Sequence, residues 1–344
     1  MVTQPENRRY LSGYRATDLS IAESSGFLLV PTRGTPLLIT DSRYQLQAEK
    51  EAAGFEVVLL RGSFLGALKR LLGRLGLRQL TFESHYMLYG AAMGLMDVGK
   101  KQGIEVKPVS CMIEKLRIRK TPEEIQKIRQ SVLLNETVFQ EVFARLKPGQ
   151  TEREVALAIE STMMQRGAEA PAFPTIVAAG PNAALPHAVP TDRIINKGET
   201  IIIDMGLKLE GYCSDMTRTV VLGKPDKSTV KIIRLVRRAQ RAALKIIKAG
   251  ISARDADSAA REVISEAGYG KNFGHGLGHG VGLAVHEAPS LNRMRRNKLQ
   301  PGMVVTVEPG IYLPGLGGVR LENMVVVEEK GCTILNRDKT FLDL

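Results

Sequence analysis

Two stretches of the chain place acids in pairs on apolar, β-rich sequence. In the first, Ile201-Ile202-Ile203-Asp204-Met205-Gly206 is followed, after the turn-like Lys208–Gly211, by Tyr212-Cys213-Ser214-Asp215 and then Met216–Leu222. A hairpin folded about that turn sets Asp204 opposite Asp215, and cross-strand partners on one face lie about 4.5–5.5 Å apart. Carboxylates that close repel each other unless they share a proton or a cation. Asp204 also ends an apolar run, where an unpaired charge is costly. A purely structural explanation competes, in which one aspartate caps a turn and the other pairs with Arg218. The second stretch has the same form. Val304–Val307 leads into Glu308, the Gly/Pro-rich Leu313–Gly318 turns the chain, and Val319–Val327 carries Glu322. Folding about Gly315 brings Glu308 level with Glu322, provided that no bulge shifts the register.

A third stretch, Phe273–Glu287, holds His275, His279 and His286, three of the chain's five histidines, embedded in glycines. The Gly-Lys-Ser/Thr ending of a phosphate-binding loop is missing. Glycine here is read as letting the backbone approach an ion or substrate closely. Four carboxylates and one imidazole are suitable donors for two hard-to-borderline divalent cations, whose charge they would balance. A water shared by such ions is acidified towards hydroxide, the two-metal mode of hydrolysis. The three scattered cysteines, Cys111, Cys213 and Cys332, exclude a soft thiolate site. His187 lies in a loop-like stretch, Phe173–His187, better placed for substrate contact than for packing.

The elements that must position these residues fall into two domains, as expected for 344 residues. Residues 1–112 alternate short strands and amphipathic helices, with a hairpin from Gly26–Val30 and Leu37–Thr40, and read as a small α/β domain. It contains His85 but no cluster of ligand-type residues. A basic connector, Ile113–Lys120, precedes Thr121-Pro122-Glu123-Glu124, which supplies an N-cap, an N1 proline and a capping-box glutamate. A second domain, 121–344, starts there. It carries a faint internal repeat: Lys147–Glu154 resembles Lys248–Asp255, a helix end at glycine followed by a Thr or Ser cap and an acid. Two related halves facing each other across a site would account for it.

Hydrophobic residues make up 44% and charged residues 24%, which excludes collagen-like, disordered and disulfide-scaffold classes. The apolar runs fall well short of the roughly 20 residues of a membrane span. The N-terminal sequence lacks a signal-peptide pattern, and the odd cysteine count argues against a disulfide framework, so a cytoplasmic location is expected. The net charge of +12 is spread along the chain, with a local cluster at Arg234, Arg237, Arg238 and Arg241 on one expected helix. No run resembles a nucleic-acid tail, and neither a specific nucleic-acid partner nor a membrane partner is expected.

The order Asp204, Asp215, His279, Glu308, Glu322, in its local contexts, resembles the pita-bread metallopeptidases. Within them it is most similar to the Xaa-Pro peptidase branch, prolidase and aminopeptidase P. The first domain resembles the family's creatinase-type N-terminal domain through Asn7–Gly13 and Leu38–Tyr44. The resemblance implies an α/β (α+β) fold, with a pita-bread catalytic domain built on a pseudo-twofold repeat. It implies that Asp204 holds one metal, Asp215 and Glu322 bridge two, and His279 and Glu308 hold the other. Glu308 would also shuttle a proton. His187 and His286 would stabilise the tetrahedral intermediate, and His275 would line the proline pocket. Tyr212 and Arg320 would orient ligands or substrate. The metals would be manganese or cobalt. The substrate would be an Xaa-Pro dipeptide or a longer peptide, and the assembly a homodimer whose first domain helps close the partner's site; a non-catalytic binding protein on the same fold is the remote alternative, disfavoured because all five ligand positions are filled.

Three departures from the family pattern qualify these expectations. The chain begins close to Asn7–Tyr10, where the family usually has a helix and most of a strand, so an upstream start or a trimmed first domain is expected. Some prolidases carry an arginine after His-Glu-x-Pro that reads a dipeptide's carboxylate. Here His286-Glu287-Ala288-Pro289 is followed by Ser290, with Arg293 nearby. If Arg293 does not substitute, longer peptides become better substrates. Finally, Asn323 follows Glu322 where aspartate is common, which should alter only the hydrogen bonding around the ligands.

Overall fold

A computed structural model describes residues 1–62 and 64–344. The chain divides into two units, Met1–Arg117 and Ile118–Leu344. The first contains α1 (Pro5–Ser12), β1 (Phe27–Leu29), β2 (Leu37–Thr40), α2 (Gln45–Glu51), β3 (Glu56–Leu59), α3 (Phe64–Leu75), β4 (Gln79–Glu83), α4 (Tyr89–Lys101), β5 (Glu105–Val109) and α5 (Glu114–Arg117). The expected hairpin forms, with Phe27 facing Ile39. Strand β3 adds parallel to β2, and β4 and β5 make a second parallel pair. Asn7–Tyr10 is helical. From α1 the fully buried Arg8 pairs with Asp18 at 2.8 Å and donates to Ala16 O, Ser24 Oγ, Ser25 Oγ and Gly26 O. One guanidinium thus satisfies a whole loop between α1 and β1.

The second unit shows why the repeat exists. Its first half runs α6 (Pro122–Phe143), α7 (Glu152–Gln165), β6 (Ala170–Pro171), β7 (Ile176–Ala179), β8 (Thr200–Met205), β9 (Leu207–Leu209), β10 (Tyr212–Cys213) and β11 (Met216–Val221). Its second runs α8 (Lys227–Ile246), α9 (Ala253–Glu266), β12 (Gly278–Gly280), β13 (Glu287–Leu291), β14 (Val304–Val307), β15 (Gly310–Leu313), β16 (Gly317–Arg320), β17 (Asn323–Val327) and β18 (Cys332–Ile334). Thr121 and Thr151 each close a capping box, and Ser252 caps α9 through Asp255 N. The turn before each second helix is tied down identically. Gly149 N donates to Ile195 O and Ile195 N to Gln150 O; Gly250 N donates to Leu299 O and Leu299 N to Ile251 O. Both glycines sit at positive φ, 95° and 85°, where a side chain would be strained.

Each half then lays an antiparallel sheet against its helices. The first sheet has the order β11-β8-β7 and the second β13-β12-β14-β17-β18. Val155, Ile159, Ile201, Ile203 and Val220 belong to one buried core, and Val236, Ala260, Val305, Val307 and Val325 to the other. This is the pita-bread arrangement. Among the described residues, no helix is long and apolar enough to cross a membrane.

The second hairpin has the expected register. Val307 faces Asn323 and Gly310 faces Arg320, which leaves Glu308 and Glu322 level with each other. The first does not. Asp204 faces Thr217, and Asp215 lies two residues before that partner. The cause is the turn. Leu209 faces Tyr212 across Glu210 and Gly211, both at positive φ, 49° and 86°. This is the two-residue hairpin whose twist matches the strands. It moves the pivot one residue along the chain and the register by two. Period-two alternation still keeps Asp204 and Asp215 on one face, as diagonal neighbours.

Candidate metal centre

The five candidate ligands come from strand ends of both halves. Asp204 is the penultimate residue of β8, and Asp215 immediately precedes β11. His279 lies in β12, Glu308 immediately follows β14, and Glu322 immediately precedes β17. His279 Nε2 lies 3.3 Å from Glu308 Oε1 and 3.6 Å from Asp215 Oδ2. One ligand atom each from Asp215, His279 and Glu322 fall within 4.8 Å of one another. Asp215 and Glu322 are buried, at 5% and 2% exposure. Asp204 Oδ1 and Glu322 Oε1 are buried without a hydrogen-bond partner. Buried carboxylate oxygens normally find donors, so these two are oriented for something other than a protein hydrogen bond. Orphaned oxygens and an imidazole nitrogen, four carboxylates against one guanidinium, fit small divalent cations.

The electrostatics agree. Burial, then the charges of Glu322, Asp204 and Glu308, hold Asp215 well above the usual carboxylate range. Burial and the charges of Glu308 and Asp204 do the same to Glu322. Burial would also raise Glu308, but the hydrogen bond and charge of His279 more than reverse it and hold it below its ordinary value. The same contact overcomes burial at His279 and lifts it to about 9. Fully ionised, the cluster would carry more negative charge than its surroundings neutralise, and either protons or bound cations relieve it.

Around this cluster lies a cavity of about 470 Å³, lined among others by His187, His275, His286, Phe173, Ser290 and Arg320. That size is within the range of about 300–1,000 Å³ for small-molecule sites. The rings of His279 and His286 meet edge to face at 4.3 Å. Partial burial and the charge of His279 hold His286 below its ordinary value. Arg320 Nη2 donates to Asp204 Oδ2 at 2.6 Å. Tyr212 does not line the cavity: its hydroxyl donates to Glu124 Oε1 at 2.9 Å, on α6. Arg293 lines a neighbouring cavity together with His275, Gly276 and Asn292, not the one around the cluster. Arg218 pairs with Asp338 at 2.6 Å, not with Asp204 or Asp215. Its Nη2 also donates to Asn323 Oδ1 at 3.2 Å, so Asp338 supplies the charge that the asparagine lacks.

Three supporting residues escaped the sequence reading. Thr217 Oγ1 donates to Glu322 Oε2 at 2.7 Å and accepts from Arg320 Nε at 3.1 Å. Thr306 Oγ1 donates to Glu308 Oε1 at 3.0 Å and accepts from His279 N at 3.0 Å. Tyr312 Oη lies 2.8 Å from His275 Nε2 and accepts from Arg320 Nη1 at 2.9 Å. The two threonines sit two residues from a ligand, on the same face of a strand, and that spacing is the signal that could have found them.

A duplicated α/β unit that brings Asp215, His279 and Glu322 together, with Asp204 and Glu308 beside them in one cavity, has the architecture of a metal-dependent hydrolase. The sequence matches the model of metallopeptidase family M24 over residues 126–329, and that of the creatinase/prolidase N-terminal domain over residues 1–119. The chain belongs to metallopeptidase family M24, a family whose members use divalent metal ions. It is 36% identical to an Xaa-Pro dipeptidase of Pyrococcus horikoshii, over 98% of this chain and 92% of that one. An Xaa-Pro dipeptidase structure from Bacillus anthracis superposes with a TM-score of 0.91 at 36% identity, covering 98% of this chain and 92% of that one. An X-Pro aminopeptidase structure from Thermotoga maritima gives a TM-score of 0.88 at 38% identity, covering 98% and 94%.

Proposed function

We propose that the chain is an Xaa-Pro peptidase that cleaves between an N-terminal residue and a following proline, acting as a dipeptidase of the prolidase type. The observation that carries this reading is the convergence of Asp215, His279 and Glu322 from the two halves within 4.8 Å. Two divalent ions, Mn²⁺ with Co²⁺ as substitute, would be held by Asp204, Asp215, His279, Glu308 and Glu322. When bound, the ions supply acidification of a water and an anchor for the substrate's free amino group. Glu308 accepts the proton of the attacking water and passes it to the proline nitrogen as the C–N bond breaks. His187 and His286 donate to the carbonyl oxygen as it becomes tetrahedral. His275 lines the proline side of the pocket, and Arg320 orients Asp204. The chemistry is assigned to residues 121–344, with residues 1–112 as the family's N-terminal domain. A homodimer in the cytoplasm completes the proposal.

The position of Arg293 outside the cavity favours a second reading, aminopeptidase P activity on longer peptides. The test compares proline release from Ala-Pro with cleavage of Ala-Pro-Pro, after chelation and after adding back Mn²⁺ or Co²⁺. Restored cleavage of Ala-Pro supports the dipeptidase. Restored cleavage of Ala-Pro-Pro alone supports the second reading. Activity that survives exhaustive chelation refutes both.

A further inference from the structure

Glu152 is the first residue of α7 and is fully buried. It plays no part in capping that helix, which Thr151 and Glu154 accomplish. Its carboxylate faces the loop that follows β7. Oε1 accepts from Ala179 N at 2.8 Å and from Asn182 Nδ2 at 3.1 Å. Oε2 accepts from Thr191 N at 3.0 Å and Thr191 Oγ1 at 2.6 Å, and shares Asn182 Nδ2 at 3.1 Å. One side chain therefore ties the start, the body and the end of residues 179–191. That segment carries His187, and Pro186, Ala188, Val189 and Pro190 beside it line the cavity.

Burying a carboxylate is costly and is tolerated only where donors replace its water. Here the charge secures the buried end of β7 at Ala179 and the loop beyond it, in which Leu185 and Val189 stand 57% and 77% exposed. Apart from Glu152, the loop's main side-chain tie at the cavity is Arg320 Nη1 donating to Pro186 O at 3.1 Å. The other half of the repeat solves the same problem with different residues. On α9, Asp257 and Arg261 form a buried pair at 2.8 Å. Asp257 accepts from Leu277 N, while Arg261 donates to Phe273 O and His275 O. In both halves the second helix buries a charge to fix the loop that presents a histidine to the cavity.

We infer that Glu152 is a positioning residue for the reaction, closing the 179–191 loop so that His187 is held against the substrate; this rests on the role proposed above for His187. Glu152→Gln keeps the shape but turns an amide NH₂ towards donors. Thr191→Val removes one donor from the loop side and spares the buried charge. A displacement of about 1 Å at a catalytic group costs about 100-fold in rate, so Glu152→Gln should lower kcat on Ala-Pro by about that factor and leave KM within about twofold. Thr191→Val should show a smaller loss of the same kind. In a His187→Ala background, Glu152→Gln should cost no further kcat. Amide hydrogen exchange should rise in peptides spanning 179–191 in both single variants and stay unchanged across β8 and β14. Wild-type kcat in both single variants, or losses that multiply in full in the double variant, would overturn the inference. So would unchanged exchange across the loop. The exchange readout needs no turnover. If the wild-type protein cleaves no Xaa-Pro substrate, the proposed function fails, and the exchange pattern still tests the clamp.

Discussion

Asp338→Asn tests how much the metal-bearing sheets depend on a pair that touches no ligand carboxylate. Arg218 is fully buried in β11, and Asp338 is 7% exposed. Arg218 Nε donates to Asp338 Oδ2 at 2.6 Å, Nη1 donates to Glu322 O and Thr217 O, and Nη2 donates to Asp338 O at 3.0 Å. The guanidinium thus ties β11 to the backbone of Glu322, while Asp338 neutralises it. Removing the aspartate charge leaves a buried cation whose remaining hydrogen-bond partners are neutral carbonyls and an amide, with Glu136 the acid still felt by its charge. Breaking one side of such a pair costs about 3–5 kcal/mol. At about 2–4 °C per kcal/mol for a domain of this size, Tm should fall by about 6–20 °C. The assay is differential scanning calorimetry of the metal-free protein. Burial alone would raise Asp338, but Arg218 reverses this and holds it below its ordinary value of 3.8. A depressed carboxylate contributes stability that is fully present above its unfolded pKa and is lost as pH falls through its folded value. The gap between wild type and variant should therefore be widest at neutral pH and close as the pH falls below that range. A gap independent of pH, or a Tm change under 2 °C on the same scale, would refute the argument.

Three further outcomes follow from the site and its surroundings. Thr217→Val removes the donor to Glu322 Oε2 and an acceptor from Arg320, and should weaken metal affinity by about 10- to 100-fold, read by competition with a chelating dye; unaltered affinity contradicts the supporting role. Asp215 and Glu322 bind protons well above the carboxylate range, so ions must displace protons to bind, and retention after dialysis should fall as pH is lowered from neutral; equal retention at pH 5 and pH 8 (about the range over which protons compete) contradicts this. Cys111 is exposed, Cys213 is buried, and burial raises the Cys332 thiol to about 11. Only Cys111 should react quickly with a thiol reagent in the native state, and rapid labelling of Cys213 or Cys332 would count against the packing described.

Much of the site was legible because its residues break the pattern of their surroundings. An acid at the end of an Ile-Ile-Ile run and another after Val-Val-Thr-Val have no ordinary reason to be there, and so Asp204 and Glu308 stood out. Gly315, at φ 79°, marked the second turn correctly, so Glu308 and Glu322 were placed level. Glu210 gave no such mark, because glutamate seldom occupies a left-handed position, and the first hairpin was misregistered by two residues. Thr217 and Thr306 were hidden because threonine in a strand needs no functional reason. The resemblance implies a ligand- or substrate-orienting role for Tyr212, whose short strand packs on α6. The helix caps at Thr121, Thr151 and Ser252 were readable because capping is local chemistry. The buried ties of Glu152, Asp257 and Arg261 depend on which loop folds back over each helix, and no local spacing encodes that.

The most direct test of the account is the metal content of the purified protein after loading with Mn²⁺ and removal of excess, measured by elemental mass spectrometry alongside Asp215→Asn. About two ions per chain in the wild type, and a clear loss in the variant along with its activity, is the result expected for shared carboxylate ligands. No bound metal in an active wild-type protein, or full occupancy and full rate in Asp215→Asn, would contradict it.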